Sequence, residues 1–436
     1  MKKRAERRRL SLGTLLMLLL TLAVLILCGV FLAMIAGNGA GARSELFLSL
    51  PTGEERAPAA PTPVPGAQEI APAPAQTASI AESTPTPAPA VCSFTLAAGG
   101  TVYAPKAIRE SAMEGTDHYD FEPVFAGLGD TLSAADLAIV TLETTTAGAQ
   151  KGYGTYNTPP QILDALRAVG ADLVSLATER ALDKGYDGLT LTVGELTARG
   201  LASAGVSLGG GAQNGSIFGV NGIQVAVLAY TYGLSDEGKQ QTREAERAAV
   251  CSIDEQRMVD DIRQARAAGA NVVIVLPHWG TKNKQETPAE IRRLAVTLAE
   301  AGADIILGTH PNVVLETERL RVTRADGLDY ETVVCYSLGS LLTDARAAEN
   351  TAGMIAHLSV TYEPAVRRAT LGELVCTPVY IARDRVDTAT VYRVLDTDNM
   401  SALSALSAQE QRAAQEAAQA VRDITGQTQR EEEGEG

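Results

Sequence analysis

Residues Ala270–Pro311 read ANVVIVLPHWG (Ala270–Gly280), ETPAEIRRLAVTLAEAG (Glu286–Gly302) and ADIILGTHP (Ala303–Pro311). An apolar run of strand length is followed by a segment with helical apolar spacing, then by a second apolar run. That is a β-α-β unit, and its two strands are expected to lie parallel and buried. The same alternation extends outward in both directions. FTLAA (Phe94–Ala98), ADLAIVTLE (Ala135–Glu143) and ADLVSLA (Ala171–Ala177) read as strands. PPQILDALRAVG (Pro159–Gly170), YDGLTLTVGELTARG (Tyr186–Gly200) and IDEQRMVDDIRQARAAG (Ile253–Gly269) read as helices. The first of these is opened by proline and closed by glycine. SIFGVNGIQVAVLAY (Ser216–Tyr230) is a hairpin around Asn221-Gly222, and YETVVCYSLGSLL (Tyr330–Leu342) adds a strand and a turn. Repeated βα units with interior hairpins imply an α/β fold built on mixed, mostly parallel sheets covered by helices.

In such sheets the polar groups at the carboxyl ends of the strands converge on one crevice. Here they are Thr101, Glu143, the trio Thr178–Arg180, His278, Trp279, Thr309, His310 and Asn312. Trp279 can serve as a stacking platform or as rim packing. The composition suits a globular chain, with 45% hydrophobic and 20% charged residues. A net charge of −15 excludes a nucleic-acid surface, which needs a basic face. The five cysteines show no metal-binding spacing, and no pair among the last four is singled out for a disulfide. GGG (Gly209–Gly211) lacks the Lys-Ser/Thr ending of a phosphate loop, and no Gly-x-Ser-x-Gly elbow occurs. His118 and His357 lie outside the motifs, in an expected surface loop and a late strand.

The ends read differently. Six of the first nine residues are basic, and the uncharged run 10–37 exceeds the ~20 residues needed to cross a bilayer. Its length favours an uncleaved signal anchor over a cleaved signal peptide, with residues 1–9 cytoplasmic and the rest exported. Cys28 reads as a membrane-embedded thiol. Residues 38–90 form an expected extended stalk, since ten of the chain's 19 prolines fall between Pro51 and Pro89. The working domain is expected over 91–392. Residues 393–424 hold an Ala-rich helix, and 425–436 an acidic, disordered tail.

The order of the strand-end blocks resembles the CapA family of capsule or poly-γ-glutamate synthesis proteins, which is related to calcineurin-like metallophosphoesterases. The blocks that carry the resemblance are DLAIVTLET, YNTPPQILDALRAVGADLVSLA, ALDKGYDGLTLTVGELTARGL, IFGVNGIQVAVLAYTYG, VIVLPHWG, AGADIILGTHPNVV and YSLGSLL, across roughly Thr95–Leu342. The resemblance implies a layered sandwich of mixed sheets flanked by helices, with a metal site on the shared rim. Several expected ligands are replaced. A Gly-Asp pair is here Gly100-Thr101, and Ala-Asn-Asn-His is here Ala177, Thr178, Glu179 and Arg180. Gly-His-His-Pro-His is here Gly308, Thr309, His310, Pro311 and Asn312. Glu143, Asp183, His278, Trp279, Gly280 and His310 follow the pattern, and Asn157 lies in a matching block.

Thr101 brings no charge, and Arg180 carries donors only, so neither replaces a metal ligand. The expectation is therefore a non-catalytic or weakly catalytic binding or assembly subunit without a cofactor. Its crevice of Thr101, Glu143, Asn157, Glu179, Arg180, Asp183, His278, Trp279, His310 and Asn312 would bind an anionic envelope polymer. Expected partners are the bilayer and membrane-bound polymer synthase subunits. The alternative is a hydrolase of phosphoesters or γ-glutamyl amides, with one divalent ion such as Zn²⁺ or Mn²⁺ on Glu143, His278 and His310. Arg180 has two open readings: it fills the lost metal's space and pairs with Glu143, or it points to solvent at a helix start. A sensory or scaffold ectodomain, recruiting a partner through the acidic C-terminal helix, is a third reading.

Overall fold

The computed structural model describes residues 90–209, 216–386 and 389–427. The expected anchor, the stalk and most of the acidic tail lie outside these residues. Among the described residues, no helix is long and apolar enough to cross a membrane.

Strand β1 (Cys92–Val102) is central to the first sheet. On one side it pairs in parallel with β2 (Leu137–Leu142), followed by β3 (Leu173–Ser175) and β4 (Ala202–Ala204). The second sheet has the hairpin β5 (Ser216–Val220) and β6 (Ile223–Thr231) at one edge. Parallel to β6 run β7 (Val272–His278), β8 (Ile305–Leu307) and then β10 (Asp329–Cys335). β9 (Thr317–Thr323) pairs antiparallel with β10 at the other edge. The short β11 (Ser340–Leu342) joins β1 in parallel. The first sheet is then completed by the antiparallel series β12 (Ala352–Glu363), β13 (Arg368–Val386) and β14 (Ala389–Asp396), with β12 on β1.

The alternation of side chains along each strand sorts the interior into layers. Val272, Ile274 and Leu276 of β7 share one apolar cluster with Leu96 and Ala98 of β1 and Ile139 of β2, so the two sheets pack face to face. Val273 and Val275 point the other way, against helices α3 (Glu255–Ala267) and α4 (Ala289–Ala301) through Ile262, Leu294 and Leu298. Val140 and Leu142 do the same for α1 (Gln161–Ala168) and α2 (Gly185–Ala198), through Ile162, Leu166, Leu189 and Leu196. The result is helix, sheet, sheet, helix. β7 is buried along its whole length because both of its faces are covered, which is why its sequence is a continuous apolar run.

Helix α5 (Ala408–Thr425) is the Ala-rich helix expected from the sequence. It is capped by the Ser407 side chain and buries Ala414, Ala418 and Val421, the last of them in the inter-sheet core. The 393–424 segment therefore packs onto the same body as 91–392. The long antiparallel strands β12–β14 were not anticipated apart from the late strand around His357. The Asn221-Gly222 turn has both residues at positive φ, 47° and 84°, as a two-residue hairpin requires. Cys92, Cys251, Cys335 and Cys376 are free thiols.

Candidate functional site

The carboxyl ends of β1, β2 and β3 from one sheet and of β7 and β8 from the other meet at one rim. A side-chain hydrogen bond spans the sheets there: His278, the last residue of β7, sits with Nε2 2.7 Å from Oε2 of Glu179, beyond β3. The other ring nitrogen, Nδ1, lies 2.9 Å from the Thr309 hydroxyl on the β8 turn. In the neutral ring, Nε2–H donates to the carboxylate and Nδ1 accepts from Thr309. His310 stands beside this pair, with Nδ1 3.8 Å from Glu179 Oε2 and its ring edge-on to His278 at 4.8 Å. Glu179, His278 and His310 are all buried.

Two fixed cations border this group. Arg180 lies over the Tyr156 ring at 3.8 Å, and Tyr156 in turn stacks on Tyr103 at 4.9 Å. Its ion-pair partners are Glu179 and Asp183, each at 3.5 Å, and Asp183 also accepts from the Ser235 hydroxyl. The half-exposed Lys282 reaches to 3.8 Å from Glu143. The solvent-pointing reading of Arg180 and the pairing with Glu143 are therefore corrected. It is three-quarters buried on an aromatic ring, its carboxylate partners are Glu179 and Asp183, and the cation beside Glu143 is Lys282.

Burial and charge push the two glutamates apart. Glu143 is raised from the ordinary carboxylate range to about 7, first by burial and next by the neighbouring Glu179 charge. Burial alone would raise Glu179 too. The His278 hydrogen bond, with His278 and His310 close by, outweighs it and holds that carboxyl well below its usual value. His310 is pushed down to about 4, chiefly by burial and next by His278, so it is neutral at pH 7.

Not every candidate residue offers a free group. Trp279 is core, with Nε1 donating to the Tyr336 carbonyl at 2.9 Å, so it is packing and not a platform. Asn157 spends its amide within its own loop: Oδ1 accepts from Thr145 and Ala147, and Nδ2 donates to Gly148 and Gly152. Several of the remaining candidates hold unused capacity. Thr101 Oγ1, Thr178 Oγ1, Arg180 Nε, His310 Nδ1 and Asn312 Oδ1 are five of the nine buried side-chain polar atoms without a hydrogen-bond partner among the described residues. Buried polar atoms are ordinarily satisfied, so this concentration at strand ends sets the rim apart from the rest of the interior.

The same donors test the metal that the resemblance implies. A two-ion centre needs carboxylates around both ions. Thr101 supplies none, and Arg180 and Lys282 place fixed positive charge where a second ion would be repelled. The residues do not fit two ions. They do fit one, through Glu179, His278 and His310, whose ligand atoms lie within 4.8 Å of one another. The carboxylate of this group is Glu179, not the Glu143 expected from the sequence.

Lys282, Tyr156 and Tyr232 gain importance only in three dimensions. Tyr232 is 52% exposed and its ring lies 4.4 Å from that of His310. Its place one residue past β6 was a usable signal, the same one that had already brought in Thr309 past β8. Lys282, in an exposed turn, carried no such signal.

Comparison with known proteins agrees with this arrangement of blocks along the chain. The PGA biosynthesis protein CapA of Bacillus subtilis (strain 168) is 30% identical over 189 residues, 43% of this chain and 46% of that protein. The capsule biosynthesis protein CapA of Bacillus anthracis is 24% identical over 186 residues, 42% of this chain and 43% of that one. The matched stretch thus spans less than half the length of these relatives. Among solved structures, the calcineurin-like phosphoesterase YfkN from Bacillus subtilis aligns with a TM-score of 0.39 and 12% identity, covering 76% of this chain and 100% of that one. Residues 95–345, which run from β1 through the histidine turns to just past β11, match a single family over more than half of the chain. By that match the chain belongs to the bacterial capsule synthesis protein PGA_cap family.

Proposed function

We propose that this protein serves the synthesis or export of capsule, poly-γ-glutamate or a comparable anionic envelope polymer, as a binding or assembly subunit whose crevice holds a polymer segment without cleaving it. The observation that carries the reading is the pair of fixed cations, Arg180 and Lys282, beside buried polar atoms that lack partners. A carboxylate of the polymer meets Arg180 and Lys282 as counter-charges, while the hydroxyls of Thr101 and Thr178 supply hydrogen bonds. Net charge of −15 opposes the approach of an anion, so binding depends on these two local cations. The uncharged run 10–37 would anchor the chain in the cell membrane, with this domain outside and beside the membrane-bound synthase subunits.

The test is calorimetry of the full chain with γ-glutamyl oligomers in the presence of a chelator. Saturable binding that falls at least tenfold in the Arg180→Ala, Lys282→Ala double variant is expected. Absence of binding to the wild type would overturn the reading.

A second reading rests on His310, whose buried Nδ1 has no hydrogen-bond partner among the described residues and faces Glu179. One Zn²⁺ or Mn²⁺ on Glu179, His278 and His310 would supply Lewis-acid chemistry for hydrolysis. Thr309 would orient the His278 ring, and Arg180 and Lys282 would hold an anionic substrate. Elemental analysis of protein purified without a His-tag separates the two. Stoichiometric metal that is lost in His310→Ala favours the hydrolase.

A further inference from the structure

Five non-glycine residues have positive φ among the described residues, and three of them stand on two turns at this rim: Asn283 (58°), His310 (98°) and Asn312 (59°). Such backbone persists only where the surroundings over-determine it. Part of the restraint lies between the turns, since Asn283 N donates to the Pro311 carbonyl at 2.7 Å. The rest comes from outside them. Asn350, almost fully buried at the end of a short 3₁₀ turn (Ala348–Asn350), donates from Nδ2 to Asn283 Oδ1 at 3.0 Å and to the Asn312 carbonyl at 2.9 Å. One amide nitrogen thus contacts both strained turns. One of these carries Lys282 and the other His310.

We infer that Asn350 is a positioning residue for the crevice, pinning the Lys282 and His310 turns in their strained form. It lies beyond residues 95–345, so the site depends on a segment outside the family-matched stretch. The chemistry needs two N–H donors on one short side chain. Aspartate has the same size and no donor, while the Asn283 side chain serves as acceptor and can be replaced by aspartate.

The inference rests on the crevice being the functional site, but its test needs no ligand. Hydrogen exchange is measured by mass spectrometry on the full chain. Asn350→Asp and Asn350→Ala are expected to speed exchange on the order of tenfold in peptides covering 281–285 and 309–314, from the loss of two hydrogen bonds. Exchange in α4 and the midpoint of global unfolding stay near wild type, and Asn283→Asp behaves as wild type. Unchanged exchange at both turns would overturn the inference. So would a uniform rise across the domain, or a failure of both Asn350 variants to fold, because each shows a merely structural role. γ-Glutamyl binding is a separate readout. If the wild type binds nothing, the functional reading falls while the exchange result still decides the role of Asn350. If it binds, both Asn350 variants lose affinity and Asn283→Asp keeps it.

Discussion

Glu179 and His278 are 99 residues apart in the chain, and their side chains meet at 2.7 Å across the two sheets. The contact consumes one carboxylate oxygen and one ring nitrogen inside a buried rim. The Glu179 charge it holds adds to burial in raising the neighbouring Glu143.

The pKa of Glu143 rises on folding from 4.5 to about 7. A carboxyl raised in this way leaves stability intact below its unfolded pKa and costs stability as pH climbs through the folded value. Glu143→Gln copies the protonated form. The variant should match wild type near pH 4 and exceed it by about 2 kcal/mol at pH 8, read from denaturant midpoints. The difference between the two proteins is the right quantity, because His310 works in the opposite direction. Its folded pKa is lowered, so its contribution is lost as pH falls from about 6.5 through about 4. Equal stability of the two proteins at pH 8 would show that Glu143 is solvated or paired more fully than its burial implies.

Arg180 is expected to couple most strongly to Tyr156 and Glu179, and more weakly, through space, to Glu143. Double-mutant cycles should give about 1 kcal/mol for Arg180 with Tyr156, whose ring it covers at 3.8 Å. Additivity in that cycle, or a larger coupling to Glu143, would contradict the observed geometry.

Thr309→Val removes the hydroxyl on His278 Nδ1 and leaves a buried ring nitrogen unsatisfied. A cost of about 1–2 kcal/mol is expected, with Thr309→Ser near wild type. Nitrogen-15 NMR of the imidazole gives the local readout: wild type should show the Nε2–H tautomer of His278. An Nδ1–H tautomer would reverse the donor assignment.

Gly308→Ala is predicted to be severe. A Cβ there would overlap the Tyr336 carbonyl oxygen and Trp279 Nε1. Both are buried parts of the core, so neither yields cheaply, and about 3 kcal/mol should be lost in thermal unfolding. Trp279 is the chain's single tryptophan, so its fluorescence reports the disturbance directly. A variant with unchanged emission and unchanged melting temperature would refute the close packing.

How much of this was legible beforehand follows from which signals are local. The run VVIVLPH announced β7, because a strand covered on both faces must be apolar throughout. Asn221-Gly222 announced the hairpin by its backbone freedom alone. Strands β12–β14 gave no comparable signal, since their faces mix buried and exposed positions and their turns lack a distinctive pair. The strand-end rule placed Glu143, Glu179, Arg180, His278 and His310 at one rim. It also admitted Trp279, which the core absorbs, and it omitted Lys282, which reaches in from a turn.

The sequence by itself determined the alternating α/β order and the rim on which the polar residues gather, because hydrophobic period and strand ends are properties of short segments. Only the tertiary structure decided the partners: Glu179 and not Glu143 stands with the two histidines, and Arg180 lies on Tyr156. Ion pairs and hydrogen bonds depend on distances of a few ångströms between segments far apart in the chain. No local pattern encodes those distances until both sheets have packed.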